Sequence, residues 1–167
     1  GTGPPKMRRA TSAYELWKAT DPDSEYKDLR VIEMATSDRF RPMQLPHYRR
    51  ADAFLVLFDL SWRKTFEGLP TWLSLIDSNH HDPLVYLIGH KVDRKDRQVT
   101  RQEMHDFAAL HPLLSVERVI ETSATTGVGI QKLFAQLAGV SAPGFVLGME
   151  HGLNNVVLER YASLDEA

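Results

Sequence analysis

Ala53-Phe54-Leu55-Val56-Leu57-Phe58-Asp59-Leu60 is apolar without alternation until Asp59 interrupts it. A run of this kind reads as a strand buried on both faces, as in a parallel sheet covered by helices. Leu84 to Ile88 is a second such run, and Val119-Ile120 is a shorter third. Helical stretches lie between them. One follows Ser61 and carries Phe66, Leu69, Trp72, Leu73 and Ile76. Another opens at Thr100, where Thr100 and Glu103 have the spacing of a capping box. A third runs from Ile130 to Leu137. Strands that alternate with helices give an α/β fold with a parallel sheet. Ligands of such folds sit beyond the carboxyl ends of the strands. The loops after Leu60, Ile88 and Glu121 are therefore where chemistry is expected.

Upstream, Arg9 to Lys18 reads as a strand with Tyr14, Leu16 and Trp17 as its apolar content. Asp21-Pro22-Asp23-Ser24 is a turn, and Leu29-Arg30-Val31-Ile32 a second strand. The two are expected to pair as an antiparallel hairpin. The 167-residue length suits one domain, and 43% hydrophobic with 25% charged residues is ordinary for a globular chain. A net charge of -2 provides no broad basic surface for nucleic acid or an anionic membrane. With no cysteine, disulfides, thiolate metal sites and cysteine lipidation are excluded within this sequence. No apolar run approaches the roughly 20 residues that span a bilayer. Gly1-Thr2-Gly3 reads as a loop or cloning remnant, not a signal peptide. A cytoplasmic protein without a direct membrane anchor is expected.

The loop after the second apolar run reads Gly89-His90-Lys91-Val92-Asp93, and the loop after the third reads Glu121-Thr122-Ser123-Ala124-Thr125. They lie about 30 residues apart with one helix between them. The pair resembles the two guanine-recognition motifs of small GTPases, NKxD and SAK. The resemblance implies a small-GTPase-like (P-loop NTPase) fold, with a mostly parallel six-stranded sheet and helices on both faces. It also implies roles: Asp93 accepts the two N–H groups on the Watson–Crick edge of guanine, the Lys91 stem packs over the base, and the Ala124 N–H binds the guanine carbonyl. His90 stands where the family has asparagine, and Thr125 where it has lysine. The guanine-binding set, if retained, is His90, Lys91, Asp93, Ser123, Ala124 and Thr125. Read without the resemblance, Asp93 and Lys91 belong to a solvated polar turn, since Arg94, Lys95, Asp96 and Arg97 follow.

The segments Arg39-Phe40-Arg41, Tyr48-Arg49 and Ala51-Asp52-Ala53-Phe54 resemble the second switch region of Rab proteins running into the central strand. Asp59-Leu60-Ser61, Thr65-Phe66 and Gln98-Val99-Thr100 continue the likeness, which covers residues 26–138. It makes Arg39, Phe40, Met43, Leu45 and Tyr48 the expected protein-binding surface. Before that region the family carries Asp-x-x-Gly followed by glutamine, which position magnesium, the γ-phosphate and the attacking water. Here the stretch reads Glu33-Met34-Ala35-Thr36-Ser37-Asp38, with Thr36 for the glycine and Ser37 for the glutamine. A serine has neither the reach nor the paired donor and acceptor of glutamine. Family-type hydrolysis is expected to be lost, and no catalytic residue is assigned.

No G-x-x-x-x-G-K-[ST] phosphate loop occurs in the chain. A degenerate candidate follows the last helix. Phe145-Val146-Leu147 reads as a strand, Gly148 to Gly152 as a loop, and the residues to Tyr161 as a helix. In register, Gly148 takes the motif's first glycine, Leu153 the second, Asn154 the lysine and Asn155 the serine or threonine, with Gly152 one position early. The segment resembles the family's first unit, in circularly permuted order. A plain C-terminal tail helix, the start of a truncated second domain, and an engineered order fit the same residues. Asn154 removes the motif's positive charge and Glu150 adds a negative one, so phosphate affinity is expected to be poor. Asn155 and Glu33 are weak metal candidates.

The expectation is a single-domain pseudo-GTPase that acts as a protein-interaction module, with no cofactor. The alternative is a guanine-nucleotide switch using GTP or GDP with magnesium and slow turnover. Adjacent His80-His81 point apart on most backbones, so no metal site is expected there. Trp62 and Trp72 are expected to be packing residues.

Overall fold

The computed structural model describes residues 7–8, 14–19, 30–34, 41–139 and 155–159. In chain order the elements are β1 (Met7–Arg8), β2 (Tyr14–Ala19), β3 (Arg30–Met34), α1 (Arg41–Arg50), β4 (Ala51–Asp59), α2 (Arg63–Glu67), α3 (Leu69–Asn79), β5 (Val85–His90), α4 (Arg101–Leu110), β6 (Val119–Thr122), α5 (Ile130–Gly139) and β7 (Asn155–Glu159). They build one sheet in the order β1-β2-β3-β7-β4-β5-β6.

The strand expected at 53–60 is β4, and it is the centre of the molecule. Phe54, Leu55 and Val56 are fully buried. Neighbouring residues on a strand face opposite sides of the sheet, so their joint burial means that both faces are covered. β5 repeats the pattern, with Val85, Tyr86, Leu87 and Ile88 all buried. The covering side chains come from Leu69, Leu73 and Ile76 on α3, Met104 and Ala108 on α4, and Leu133, Phe134 and Leu137 on α5.

β4 pairs with β5, and β5 with β6, in parallel. The other four neighbouring pairs are antiparallel. Among the described residues the sheet thus has seven strands, with two parallel pairings and four antiparallel ones, where six mostly parallel strands were expected. One source of the difference is the upstream hairpin, where β2 pairs with β3 as expected, Trp17 opposite Val31. The other is β7. A helix was expected over these residues, yet Asn155–Glu159 is a strand lying between β3 and β4, antiparallel to both. Val156-Val157-Leu158 is a short, partly β-branched run, which suits a pleated central position. It also supplies partners for the inner edges of both β3 and β4, whose backbone groups need them when buried. The permuted unit is therefore not formed as expected at 155–159. Residues 145–154, with Gly148, Gly152 and Asn154, lie outside the described residues.

The helix expected after Ser61 is two helices. Pro70 has no N–H to continue the ladder and its ring crowds the preceding turn. α2 ends at Gly68, whose N–H donates to the Lys64 carbonyl at 3.1 Å, and α3 restarts with proline in its first turn. α4 begins as expected. The Thr100 hydroxyl accepts from the Glu103 N–H at 3.1 Å, and the Glu103 carboxylate accepts from the Thr100 N–H at 2.8 Å.

Candidate functional site

The parallel registers set Asp59 on β4 beside His90 on β5, and His90 beside Thr122 on β6. Three strand ends thus stop level, and the loops that follow them meet. Backbone bonds tie those loops together. The Leu60 N–H donates to the His90 carbonyl at 3.1 Å, the Val92 N–H to the Thr122 carbonyl at 3.0 Å, and the Gln98 N–H to the Leu60 carbonyl at 2.7 Å.

Lys91 leaves β5 in a left-handed conformation, φ 63°. A non-glycine residue at positive φ costs about 1–3 kcal/mol and persists only where its surroundings hold it. What holds it is visible. Its ammonium lies 2.7 Å from Asp59 Oδ2, while its carbonyl accepts from the Arg94 N–H at 3.1 Å. Asp59 Oδ1 accepts from the Ser61 N–H at 2.8 Å and its hydroxyl at 2.6 Å. Burial raises the Asp59 carboxyl pKa, but the bonds from Lys91 and Ser61 outweigh it and leave the group below its ordinary range. Sequence reasoning did not assign Asp59 to the site. The available signal was a carboxylate ending an otherwise apolar strand.

Ser123 joins the two loops. It is fully buried, and its hydroxyl donates to Asp93 Oδ1 at 2.7 Å while accepting from the Thr126 N–H at 3.0 Å. Its N–H donates to the Val128 carbonyl, and its carbonyl accepts from the Gly127 N–H. Asp93, Ala124 and Thr125 are exposed beside it. The Ala124 N–H has no hydrogen-bond partner among the described residues. The site therefore offers a carboxylate on an exposed residue fixed on one oxygen, a backbone donor with no partner among the described residues, and a lysine stem held by its tip. His90 is half-buried at the end of β5.

Glu121 closes the back of the site. Its carboxylate receives Arg97 on one oxygen and Arg101, at 2.7 Å, on the other. Burial raises its pKa, and the two arginines more than offset that, so it too lies below the usual range. The Glu121 carbonyl packs against Gly129, where an added Cβ would come within 2.0 Å.

The other expected site residues fall elsewhere. Tyr48 was expected on an exposed partner-binding surface, but it is fully buried, with its ring 5.8 Å from Phe54. Helix α1 is the reason. It turns Gln44 and Tyr48, one helical turn apart, into the core. Leu45 is half-buried. Arg39 and Phe40 lie outside the described residues, as does the side chain of Met43. Trp62, expected to pack, is 51% exposed because it precedes α2. Asn155 begins β7 opposite Val56, and Glu33 lies within β3 opposite Val156. No group of three or more metal-binding side chains occurs among the described residues. No helix there is long and apolar enough to cross a membrane.

The Ras family matches residues 6–141. Ras-related protein Rab-18 of Lymnaea stagnalis is 33% identical over 120 residues, which are 70% of this chain and 57% of that protein. Rab-18-B of Danio rerio is 32% identical over 117 residues, 69% of this chain and 55% of its own length. Rab-30 of Homo sapiens is 27% identical over 140 residues, 83% of this chain and 67% of its own length. The chain thus spans a little over half the length of the Rab-18 relatives it matches. With the level strand ends, the two cross-linked loops and the match over residues 6–141, the chain belongs to the Ras family of small GTPases, in its Rab-like branch.

Proposed function

We propose that this chain is a pseudo-GTPase: a Ras-family protein that keeps the base-recognition half of the fold, binds guanine weakly through it, and does not hydrolyse GTP. One observation carries the reading. The position beside β4 is filled by β7, which runs antiparallel to it, from Asn155 opposite Val56 to Glu159 opposite Ala51 at the amino end. A phosphate loop needs a strand that runs toward the carboxyl end and then a helix whose N-terminus faces the phosphates. β7 runs the other way, so it delivers no such loop at the edge where Lys91 and Asp93 stand.

Two sequence features support the loss of turnover. Thr36 and Ser37 replace the glycine and glutamine that sense phosphate and position water. Protein partners and a cytoplasmic setting go with this reading, with Arg39, Phe40, Met43 and Leu45 as the proposed contact surface. A second reading, a guanine-nucleotide switch using magnesium, draws support from the preformed geometry of Asp93, Ser123 and Lys91.

The test is direct. Purified protein is denatured and the supernatant chromatographed for nucleotide, and a separate sample is assayed for phosphate release from GTP with magnesium. The proposal expects no stoichiometric nucleotide and no turnover above buffer. Stoichiometric GDP, or GTP hydrolysis abolished by Asp93→Ala, would establish the switch instead.

A further inference from the structure

We infer that the groove between α2 and α4 is a docking site for a basic amphipathic helix of a protein partner. It lies apart from the base loops and stands independently of nucleotide binding. Its floor is aromatic. Phe66 on α2 meets Phe107 on α4 with ring centroids 5.3 Å apart, edge toward face, and both residues are half-buried. Phe58 of β4 backs Phe66 at 5.1 Å, so the floor is anchored in the core.

The two walls run side by side. Arg63 reaches Glu103 at 2.6 Å, and Phe66 meets Phe107 one turn further along both helices. The contacts keep the same order, so α2 and α4 point the same way. Residues three or four apart share a helix face, which puts Leu110 beyond Phe107 on one wall and Trp62 before Phe66 on the other. Trp62 and Leu110 therefore stand at opposite ends of the groove. Trp62 is 51% exposed and Leu110 86% exposed. Trp62 is displayed from a fixed turn. Its N–H donates to the Asp59 carbonyl at 3.0 Å, and its carbonyl accepts from the Thr65 hydroxyl at 2.7 Å. A tryptophan and a leucine left in water around a half-open pair of rings mark an interaction surface. From Trp62 to Leu110 the strip is about 12 Å long, the rise of about eight helical residues.

Charge selects the occupant. Glu67 and Asp106 flank the two phenylalanines and are exposed. Arg63 is shared between Glu103 at 2.6 Å and Glu67 at 3.7 Å. The rim thus sets Glu67, Glu103 and Asp106 against one guanidinium. The neighbouring cations face elsewhere. Lys64 is two residues from Phe66, on the opposite side of α2. Arg101 is turned to Glu121 on β6 at 2.7 Å. An apolar floor with an acidic rim is complementary to an apolar face bordered by lysine or arginine. Two helices offer no free backbone edge for an added strand, so the fitting form is a helix laid in the groove. A second copy of this chain would bring acidic rim against acidic rim, and an anionic lipid surface would meet the same repulsion.

The test uses the whole chain and a labelled peptide of about 14 leucine and lysine residues, patterned as an amphipathic helix. Two controls are its leucine and glutamate counterpart and a leucine–lysine peptide of the same composition scrambled to remove the apolar face. Fluorescence anisotropy should show the patterned leucine–lysine peptide binding at least about tenfold tighter than either control, and more weakly at high salt. Trp62→Ser and Leu110→Ser should each weaken binding by about fivefold or more, and Glu67→Lys and Asp106→Lys by about threefold each. Lys64→Ala should bind as the parent does. All five positions are exposed, and an unchanged unfolding midpoint confirms that each variant is folded. Amide NMR shifts induced by the peptide should fall on residues 62–70 and 103–111. No binding of the leucine–lysine peptide, equal binding of the leucine–glutamate peptide, or parent-like binding by both Trp62→Ser and Leu110→Ser overturns the inference.

Discussion

Replacing Gly129 with alanine probes the joint between the base loop and the sheet. Gly129 has φ +74°, and a Cβ added there would lie 2.0 Å from the Glu121 carbonyl oxygen, 3.0 Å from its carbon and 3.3 Å from Thr122 Cα. All three are β6 backbone, so no side-chain rotation relieves the clash. The loop must move by an ångström or more. That movement strains the Ser123 N–H to Val128 bond and the Leu133 N–H to Gly129 bond, both 3.0 Å. Left-handed backbone costs a non-glycine residue about 1–2 kcal/mol. Two weakened hydrogen bonds add about 1 kcal/mol each. The sum is about 3–4 kcal/mol, a large share of the 5–15 kcal/mol typical of a domain. Gly127 is the internal control, in the same loop at φ +81° with nothing within 4 Å of its added Cβ. Gly127→Ala should cost only the backbone term, about 1–2 kcal/mol. Urea unfolding of both variants gives the difference, expected at about 2 kcal/mol or roughly 4–8 °C in Tm for a chain of this size. Equal destabilisation of the two variants would refute the packing of the loop against Glu121.

Three further outcomes follow from other contacts. Glu121→Gln leaves Arg97 and Arg101 facing a neutral amide and should cost about 3 kcal/mol at neutral pH. The folded Glu121 pKa lies below its unfolded value near 4.3, so the Glu121 contribution is full above that pH and is lost as pH falls through the folded value. The gap between the parent and Glu121→Gln in urea unfolding should therefore narrow from pH 6 toward pH 3, and a constant gap would refute it. Arg63 and the Thr100 cap hold the Glu103 carboxyl down to about 2, which carbon-detected NMR titration should show, with a rise toward 4.3 in Arg63→Met. Thr100→Ala removes one half of the capping box and should cost about 1 kcal/mol by chemical denaturation.

Much of the fold was legible because single features dominated. The β4 run is too uniformly apolar to be a half-exposed strand, and the Thr100 box marks a helix start by hydrogen-bond chemistry alone. The base loops were legible as motifs, but their joining by the Ser123 hydroxyl and the Asp93 carboxylate was not, because it depends on two loops about 30 residues apart meeting in space. What sequence missed had competing physics. Helix α1 carries Pro46 in its interior and no acidic residue in its first turn, so its pattern does not announce a helix. Tyr48 therefore read as surface when it is core. Asn155–Glu159 is five residues long, and a run that short fits helix or strand alike. Its strand identity came from the backbone partners offered by β3 and β4, which are far away in sequence. Lys91 stood out as part of a loop motif, but its anchoring to Asp59 depends on the level ends of β4 and β5.

The proposed function requires the loops after β5 and β6 to form a working base-recognition surface. An amide NMR titration of the isotopically labelled chain with guanosine tests it most directly. The prediction is saturable shifts confined to residues 91–96 and 122–127, led by the Ala124 amide, and abolished in Asp93→Ala. Unchanged amides in both loops up to the solubility limit of guanosine, or shifts centred on α1 instead, would contradict it.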